Sequence, residues 1–398
     1  MATKILDLEL QKLPTEINGL EKYNNALILI RLNGRPIGQT LIPIKDGRIT
    51  ESELREVVMD SPGLSVYEYW LRDFIEIEPS GSHRNSQLKA TVAICTRDRT
   101  EDLQRCLDAL VKLPDDGQEI LVVDNCPSTD ATYKLVMGYK QVSYLREDKP
   151  GLSCARNKAL REAKHPIVAF TDDDAIPDPG WLRALLKNFD DPLVLCTTGL
   201  TMPFELENEI QEWFERMSCF AHGFKRTVFG IPDHDPLGVG SIGAGVNMAL
   251  RRSVLEKVGP FDEALGIGTP AKAGEEKDIF SRILSAGYRI VYDPAALCWH
   301  KHRRSWKLLR RAVYGHGVGV YAAWTRSIIV HKEFGVLKLA WQWFWREQLP
   351  ELLHGLRRLQ QDKDSIELKL ILIELLGCLV GPWAYLSSRQ KQKRTRQP

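Results

Sequence analysis

Residues 167–177 read IVAFTDDDAIP. Residues 167–171 form a short, mostly apolar run, which predicts a buried strand. Three carboxylates follow at once: Asp172, Asp173 and Asp174. Adjacent like charges repel, and burying them unpaired is expensive. Such a cluster at a strand end is either solvated or neutralised by a divalent cation. On an extended backbone Asp172 and Asp174 fall on one side, because the side-chain period is two. Together they offer the hard oxygen ligands that Mg2+ or Mn2+ prefers. A solvated acidic turn is the alternative, and the flanking chain has to decide.

On the N-terminal side an alternating pattern leads into this stretch. Residues 91–95 (TVAIC) read as a strand, and 101–113 as a helix with Leu103, Leu107 and Leu110 on one face. Residues 119–123 (EILVV) and 142–145 read as strands, 130–140 and 153–163 as helices. Strand–helix alternation implies crossover units, hence a mainly parallel sheet flanked by helices. In such sheets ligands bind beyond the carboxyl ends of the strands. Thr96, Arg97 and Asp98, then Asp124 and Asn125, then the three aspartates all follow predicted strands. They should therefore converge on one edge. Arg156 opens a helix after Pro150-Gly151-Leu152 and can reach the same edge.

The chain of 398 residues is 43% hydrophobic and 27% charged, which fits a folded protein with one large domain plus additions. Its formal net charge of +2 argues against a nucleic-acid partner. The eight cysteines form no CxxC pair, so no zinc ribbon or redox motif is indicated, and a reducing, cytoplasmic setting is expected. The first residues lack the basic region and apolar run of a signal peptide.

Residues 1–87 read as a small α+β unit followed by a linker. Runs at 26–32 and 37–44 flank Asn33-Gly34, a hairpin signal. Thr50 with Glu53 makes a capping box for a helix through Met59. Residues 79–87 (PSGSHRNSQ) are polar and rich in helix breakers, as linkers are.

Six segments, in order, resemble the family 2 glycosyltransferases with the GT-A fold. They are VAICTRDR, ILVVDNCPSTD, PGLSCARNKAL, FTDDDAIPDPGWL, GAGVNMALRRSVLEKVGPFDE and GEEKDIFSRILSAGYRI. The resemblance covers roughly residues 88–311, and 88–330 is expected to be the catalytic domain. It implies that Thr96 and Asp124 hold the nucleotide base and that Arg156 lines the same pocket, with Arg97, Asp98, Asp173 and Glu275 around the nucleotide sugar. Asp172 would bond the ribose and assist Asp174, which would bind Mn2+ or Mg2+ across the diphosphate. His300 would be a further metal ligand, with His302 the fallback, and Arg303 and Arg304 are candidates for phosphate contacts. A UDP-sugar is the favoured donor.

Glycosyl transfer to an alcohol needs a stabilised leaving group and an activated hydroxyl. A divalent ion answers the first need. A carboxylate that takes the acceptor's proton answers the second. Direct displacement inverts the anomeric centre. The base should lie in GEEKD at 274–278. The family shows Glu-Asp after the glycine, with Asp as the base; here Glu276 stands in that place, with Asp278 as competitor. The extra methylene of Glu lengthens its reach. A sugar nucleotidyltransferase would want a Gly-rich basic loop after the first strand, where this chain has Thr96-Arg97-Asp98-Arg99. A silent scaffold relative is favoured only by the Glu276 departure.

Residues 201–240 interrupt the pattern with Trp213, Phe214, Phe220, His222, Phe224 and Phe229. They read either as acceptor contacts or as a helix pair covering the sheet. Gly240–Gly245 (GSIGAG) lacks the features of a phosphate loop and is read as letting backbone approach the donor sugar. Five of the ten tryptophans follow Val320: Trp324, Trp341, Trp343, Trp345 and Trp383. The apolar run at 366–386 carries Glu367, Lys369 and Glu374, and a basic terminus follows. A central carboxylate is costly in a span, whereas Trp and Lys or Arg suit the headgroup region. Residues 331–398 are therefore expected to form a helical tail that lies on the inner face of the cell membrane, near a sugar or lipid-linked acceptor. A docked core or homodimer helix, and then a spanning one, are the alternatives.

Overall fold

The apolar runs around residues 90–96, 119–125 and 167–172 lie side by side as parallel strands. Continuous hydrophobicity demands this of strands covered on both faces. The computed structural model describes residues 2–60, 88–218, 220, 222–359 and 366–396. The first unit holds β1 (Thr3–Glu9), β2 (Glu16–Ile17), β3 (Asn25–Leu32), β4 (Arg35–Pro43), β5 (Ile49–Thr50) and α1 (Glu51–Asp60). The alternating segment follows with β6 (Ala90–Thr96), α2 (Thr100–Leu110), β7 (Glu119–Asn125), α3 (Ala131–Val136), β8 (Val142–Glu147), α4 (Leu152–Glu162) and β9 (Ile167–Asp172). Next come β10 (Ala175–Pro177), α5 (Trp181–Leu186), β11 (Val194–Pro203), α6 (Glu209–Ser218), β12 (Thr227–Phe229), β13 (Asn247–Arg251), α7 (Val254–Lys257), α8 (Glu275–Ser285) and β14 (Arg289–His300). Four long helices end the described chain: α9 (Trp306–Arg326), α10 (Gly335–Trp343), α11 (Leu349–Leu359) and α12 (Ile366–Arg396).

The central sheet has nine strands in the order β10-β14-β11-β13-β9-β6-β7-β8, with β12 paired to β14. It is mostly parallel: β6, β7, β8, β9, β11 and β14 share one direction, and β10, β12 and β13 oppose them. Val92 and Ile94 bury one face against Leu103, Leu107 and Leu110 of α2. Ala93 packs on the other face, among Ala155 and Ala159 of α4 and Ile279, Phe280 and Ile283 of α8. The sheet is thus a middle layer between helices, as its alternating sequence requires.

Two helices are shorter than their patterns predict. α2 stops at Leu110 rather than 113, where Pro114 next imposes extended backbone. α3 ends at Val136, before Gly138, rather than at 140.

In the first unit β3 and β4 form the expected hairpin, with Asn33 and Gly34 both at positive φ. The capping box is present: Thr50 N–H donates to Glu53 Oε2 at 2.9 Å, and Glu53 N–H to Thr50 Oγ1 at 3.4 Å. This unit has a core of its own around Leu20, Ile28, Ile30, Ile37 and Ile42. It also shares apolar contact with the large sheet through Leu27 and Leu29 against Leu200, Met202 and Leu297. Arg31 ties it to Asp178 at 2.7 Å. The linker expected at 79–87 lies outside the described residues.

The C-terminal helices are docked on the domain. Added side chains at Gly317 on α9 or Gly377 on α12 would strike the partner helix's backbone at Glu374 or Tyr314. Small residues at these crossings are what let the two backbones approach.

Candidate active site

Three strand ends and one helix start meet at the carboxyl edge of the sheet. Register places Thr96 opposite Asp124, and Cys95 opposite Asp172. β10 pairs with β14 so that Ala175 lies opposite His300, which brings the far end of the sheet back to the acidic turn. Gly274, at φ 98°, begins α8, and any side chain there would strike the α9 backbone at Gly319. The first turn of α8 then carries Glu275, Glu276 and Asp278, where the helix N-terminus favours negative charge.

The acidic run does not behave as an extended strand. β9 stops at Asp172, and Asp173 and Asp174 form the turn into β10. The period-two argument therefore lapses, and Asp173 and Asp174 are the pair that share a partner. Arg99 Nη1 lies 2.6 Å from Asp173 Oδ1, and Arg99 Nη2 lies 2.8 Å from Asp174 Oδ2. Thr96 Oγ1 donates to Asp173 Oδ2 at 2.7 Å, so its hydroxyl is committed there. Arg303 Nη1 reaches Asp174 Oδ2 at 3.1 Å, and His300 Nε2 stands 3.4 Å from Asp174 Oδ1. Burial pushes the Asp173 carboxyl up to about 7, with Arg99 opposing. Burial also works against the charge on Asp174, yet His300, Arg99 and Arg303 hold its carboxyl far below the usual range. Lys301 and Arg99 both also reach Asp102, at 3.2 and 2.9 Å, so a row of cations borders the turn.

Arg156 on α4 is buried and joins this turn to α8. Its Nη1 lies 3.1 Å from Glu275 Oε1 and 3.2 Å from Glu276 Oε1, and its Nη2 lies 4.0 Å from Asp172 Oδ1. A Cβ on Gly245 would collide with both Arg156 and Glu276. The last glycine of GSIGAG thus makes room for this ion pair. Glu275 Oε2 is buried without a hydrogen-bond partner, and burial, then the neighbouring Glu276, push its carboxyl up to about 8.

Asp124 accepts from Tyr144 Oη at 3.0 Å through Oδ2, while its buried Oδ1 has no partner. Desolvation raises its pKa. Asp98, at φ 54°, accepts from Ser128 N and Oγ at 2.9 and 2.8 Å and so ties the loop after β6 to the loop after β7. Arg97 is exposed and 3.7 Å from Asp98.

Asp278 belongs to a different network. It is buried, accepts from Arg282 at 2.8 and 3.0 Å, and lies 2.5 Å from Arg326 Nη1 on α9. Glu276 instead is partly exposed on the edge that holds Arg156 and Asp172. Arg304 is paired with Glu205 on the surface, away from Asp174.

Sequence reading passed over three contributors: Arg99, Lys301 and Glu215. Arg99 stands in the motif TRDR and Lys301 between two histidines, but neither spacing reveals its partner. The aromatics at 201–240 gave no warning of Glu215. Instead of a helix pair, the described residues of that interval hold one α-helix, α6, and the short strand β12. Phe214 tilts against His302 at 4.7 Å, and Phe220 meets His300 edge-on at 5.2 Å. His300 Nδ1 and His302 Nδ1 are 3.1 Å apart, and His302 Nε2 is 2.6 Å from Glu215 Oε2. Burial lowers the pKa of the His302 imidazole.

The donor chemistry here fits a hard divalent ion. A carboxylate oxygen of Asp174 faces an imidazole nitrogen of His300, and Asp172 ends the adjoining strand. Among the described residues no three His, Cys, Asp or Glu groups lie close enough to enclose a metal by themselves. Mg2+ sites characteristically take one or two carboxylates and complete the shell with substrate phosphates and water. The unpartnered Asp124 Oδ1 likewise suits a ligand that brings its own donor.

Residues 91–259 match the family described as Glycosyl transferase family 2. The pre-mycofactocin glycosyltransferase of Mycobacterium tuberculosis is 32% identical over 246 residues, covering 60% of this chain and 47% of that protein. This chain thus spans about half the length of that relative. The glycosyltransferase AglE of Haloferax volcanii is 26% identical over 241 residues, covering 59% of this chain and 73% of that protein. A solved mannosyltransferase from Pyrobaculum calidifontis, in complex with GDP-Man and Mn2+, superposes with a TM-score of 0.50 at 18% identity, covering 80% of this chain and 94% of that one. At that identity the likeness speaks for the fold.

Proposed function

From the match of residues 91–259 to glycosyl transferase family 2, we propose that this chain moves a sugar from a nucleotide-sugar donor to an acceptor hydroxyl, with inversion, assisted by Mn2+ or Mg2+. The observation that carries the reading is Arg156: one buried guanidinium spans from the acidic strand end at Asp172 to Glu276. A donor-binding edge and a separate carboxylate are thereby held within one side chain's reach.

Each residue then has a task. Asp124 Oδ1 accepts from the nucleotide base. Asp174 and His300, with Asp172 beside them, would hold the divalent ion. When bound, that ion neutralises charge on the departing diphosphate. Arg99, Lys301 and Arg303 stand ready to exchange their carboxylate partners for phosphate oxygens, which bidentate guanidinium groups bind well. Glu276 takes the proton of the attacking hydroxyl, and Arg156 orients it. Asp278, locked between Arg282 and Arg326, is left with a structural task.

The same proposal places the enzyme against a membrane surface on the cytoplasmic side, where a lipid-linked acceptor would be presented. Two exposed apolar stripes support this. Leu372, Leu376, Leu379, Trp383 and Leu386 line one side of α12, and Phe334, Leu337, Trp341 and Trp345 are exposed on and just beside α10. By length and composition α12 is long and apolar enough to cross a membrane. Its Glu374, however, is paired with His316 of α9 at 2.8 Å, which favours a helix docked on the domain. The seven described cysteines are unpaired, in keeping with a reducing side.

The test is a panel of UDP-, GDP- and TDP-sugars, scored for nucleoside diphosphate release with Mn2+ and with EDTA. Release from one donor that requires the ion is expected. Binding of no nucleotide sugar under either condition would leave the scaffold reading in possession.

A further inference from the structure

We propose that His302 and Glu215 are positioning residues that fix the tautomer of His300 and so present its Nε2 lone pair to the divalent ion; this rests on the metal reading above. The groups stand in line. His302 Nε2 lies 2.6 Å from Glu215 Oε2, His302 Nδ1 lies 3.1 Å from His300 Nδ1, and His300 Nε2 lies 3.4 Å from Asp174 Oδ1. Both rings are buried, the side chain of His302 completely.

Donor and acceptor rules orient the chain of bonds. An ionised carboxylate only accepts, so His302 donates from Nε2 to Glu215. A neutral imidazole has a single N–H, which leaves a lone pair on His302 Nδ1. The short contact between the two Nδ1 atoms then requires the proton to sit on His300. His300 is thereby held as the Nδ1–H tautomer, and its bare Nε2 faces a carboxylate oxygen. Where the ring is neutral, this leaves two acceptors facing each other across 3.4 Å, a gap that a divalent cation closes as a proton on Nε2 otherwise would. A ring whose second nitrogen is tied by a hydrogen bond is the arrangement that orients metal-binding histidines.

Packing supports the same role. Phe214 and Glu215 are neighbours on α6, so one helix supplies both the wall against His302 and the acceptor for its proton. Phe220 closes on His300 from another side. The rings are buried and confined by Phe214 and Phe220, so a flip of either would break the relay at a buried nitrogen, which is costly.

The experiment uses the full chain and titrates Mn2+ by calorimetry and by the Mn2+ spin-resonance signal, in saturating UDP and, in parallel, GDP. His302→Leu removes the acceptor for His300 Nδ1–H and should weaken Mn2+ binding about 10- to 100-fold. His302→Asn places an amide oxygen near the lost Nδ1 and should restore most of that affinity. In nitrogen-detected spectra of the metal-free parent, the His300 proton should sit on Nδ1. Unchanged Mn2+ affinity in His302→Leu, or a proton on His300 Nε2 in the parent at pH 8, overturns the relay. Asp174→Asn separates the two failures. If the parent itself takes up no Mn2+ with either nucleotide, the metal reading fails. If the parent binds, Asp174→Asn does not, and His302→Leu binds as the parent does, only the relay fails.

Discussion

Arg156 and Glu276 meet at 3.2 Å across the bare backbone of Gly245. One face of the pair is closed by Phe170 and Phe261, whose rings lie 6.0 and 5.7 Å from the guanidinium carbon. A cation so enclosed holds a carboxylate in one place. Glu276→Gln keeps the shape and removes the proton acceptor. Transfer should fall by about 100- to 10,000-fold, with donor affinity retained, as measured by steady-state kinetics beside calorimetry. Loss of donor binding to the same extent would instead make Glu276 a donor ligand.

Asp278 should answer the opposite way. Its carboxylate is buried between Arg282 and Arg326 and links α8 to α9. Removing one partner of a buried pair strands the other charge, and Asp278→Asn should cost about 3–5 kcal/mol of stability. Denaturant unfolding would measure it. Below the unfolding transition, turnover should stay within a few-fold of the parent. A hundredfold loss of turnover at unchanged stability would transfer the catalytic role to Asp278.

Glu275 predicts a pH dependence. Its carboxyl is pushed up to about 8 by burial, from an ordinary value of 4.5. Between these values the folded chain holds a proton that the unfolded chain has released. This contribution is fully present below the unfolded value and is lost as pH rises towards about 8. The slope for one proton is about 1.4 kcal/mol per pH unit. Glu275→Gln cannot titrate, so melting curves between pH 5 and 8 should be flatter for the variant than for the parent. Parallel curves would mean that Glu275 stays ionised in the fold.

The tail can be tested without removing it. Truncation would uncover the face of α9 that packs on α12 through Gly317 and Gly377, so point changes are the cleaner probe. Leu379 and Trp383 are 80% and 69% exposed and lie on the stripe proposed to meet lipid. Leu379→Glu with Trp383→Glu should abolish flotation with vesicles that contain anionic lipid and leave nucleotide binding intact. If the parent remains unbound and behaves as a dimer that these changes dissolve, the stripe is a subunit contact.

Local patterns in the chain determined a great deal. Continuous apolar runs broken by helical periodicity define the parallel strands, and their polar successors mark the edge where Thr96 lies opposite Asp124 and Asp172 opposite Cys95. The Asn33-Gly34 hairpin and the Thr50–Glu53 cap were also legible, because both are built from neighbours in sequence. The tertiary structure alone decided partnership. Arg99 meets Asp173 and Asp174 from 74 and 75 residues away, Asp278 is claimed by Arg326 from 48, and His302 finds Glu215 across 87. Glu276 and Asp278 are two residues apart on one helix turn, and spacing does not say which is free to act. Helix packing separates them, because burying a charge forces it to find an opposite partner wherever the fold brings one near. That choice is made between elements, where sequence separation carries no information.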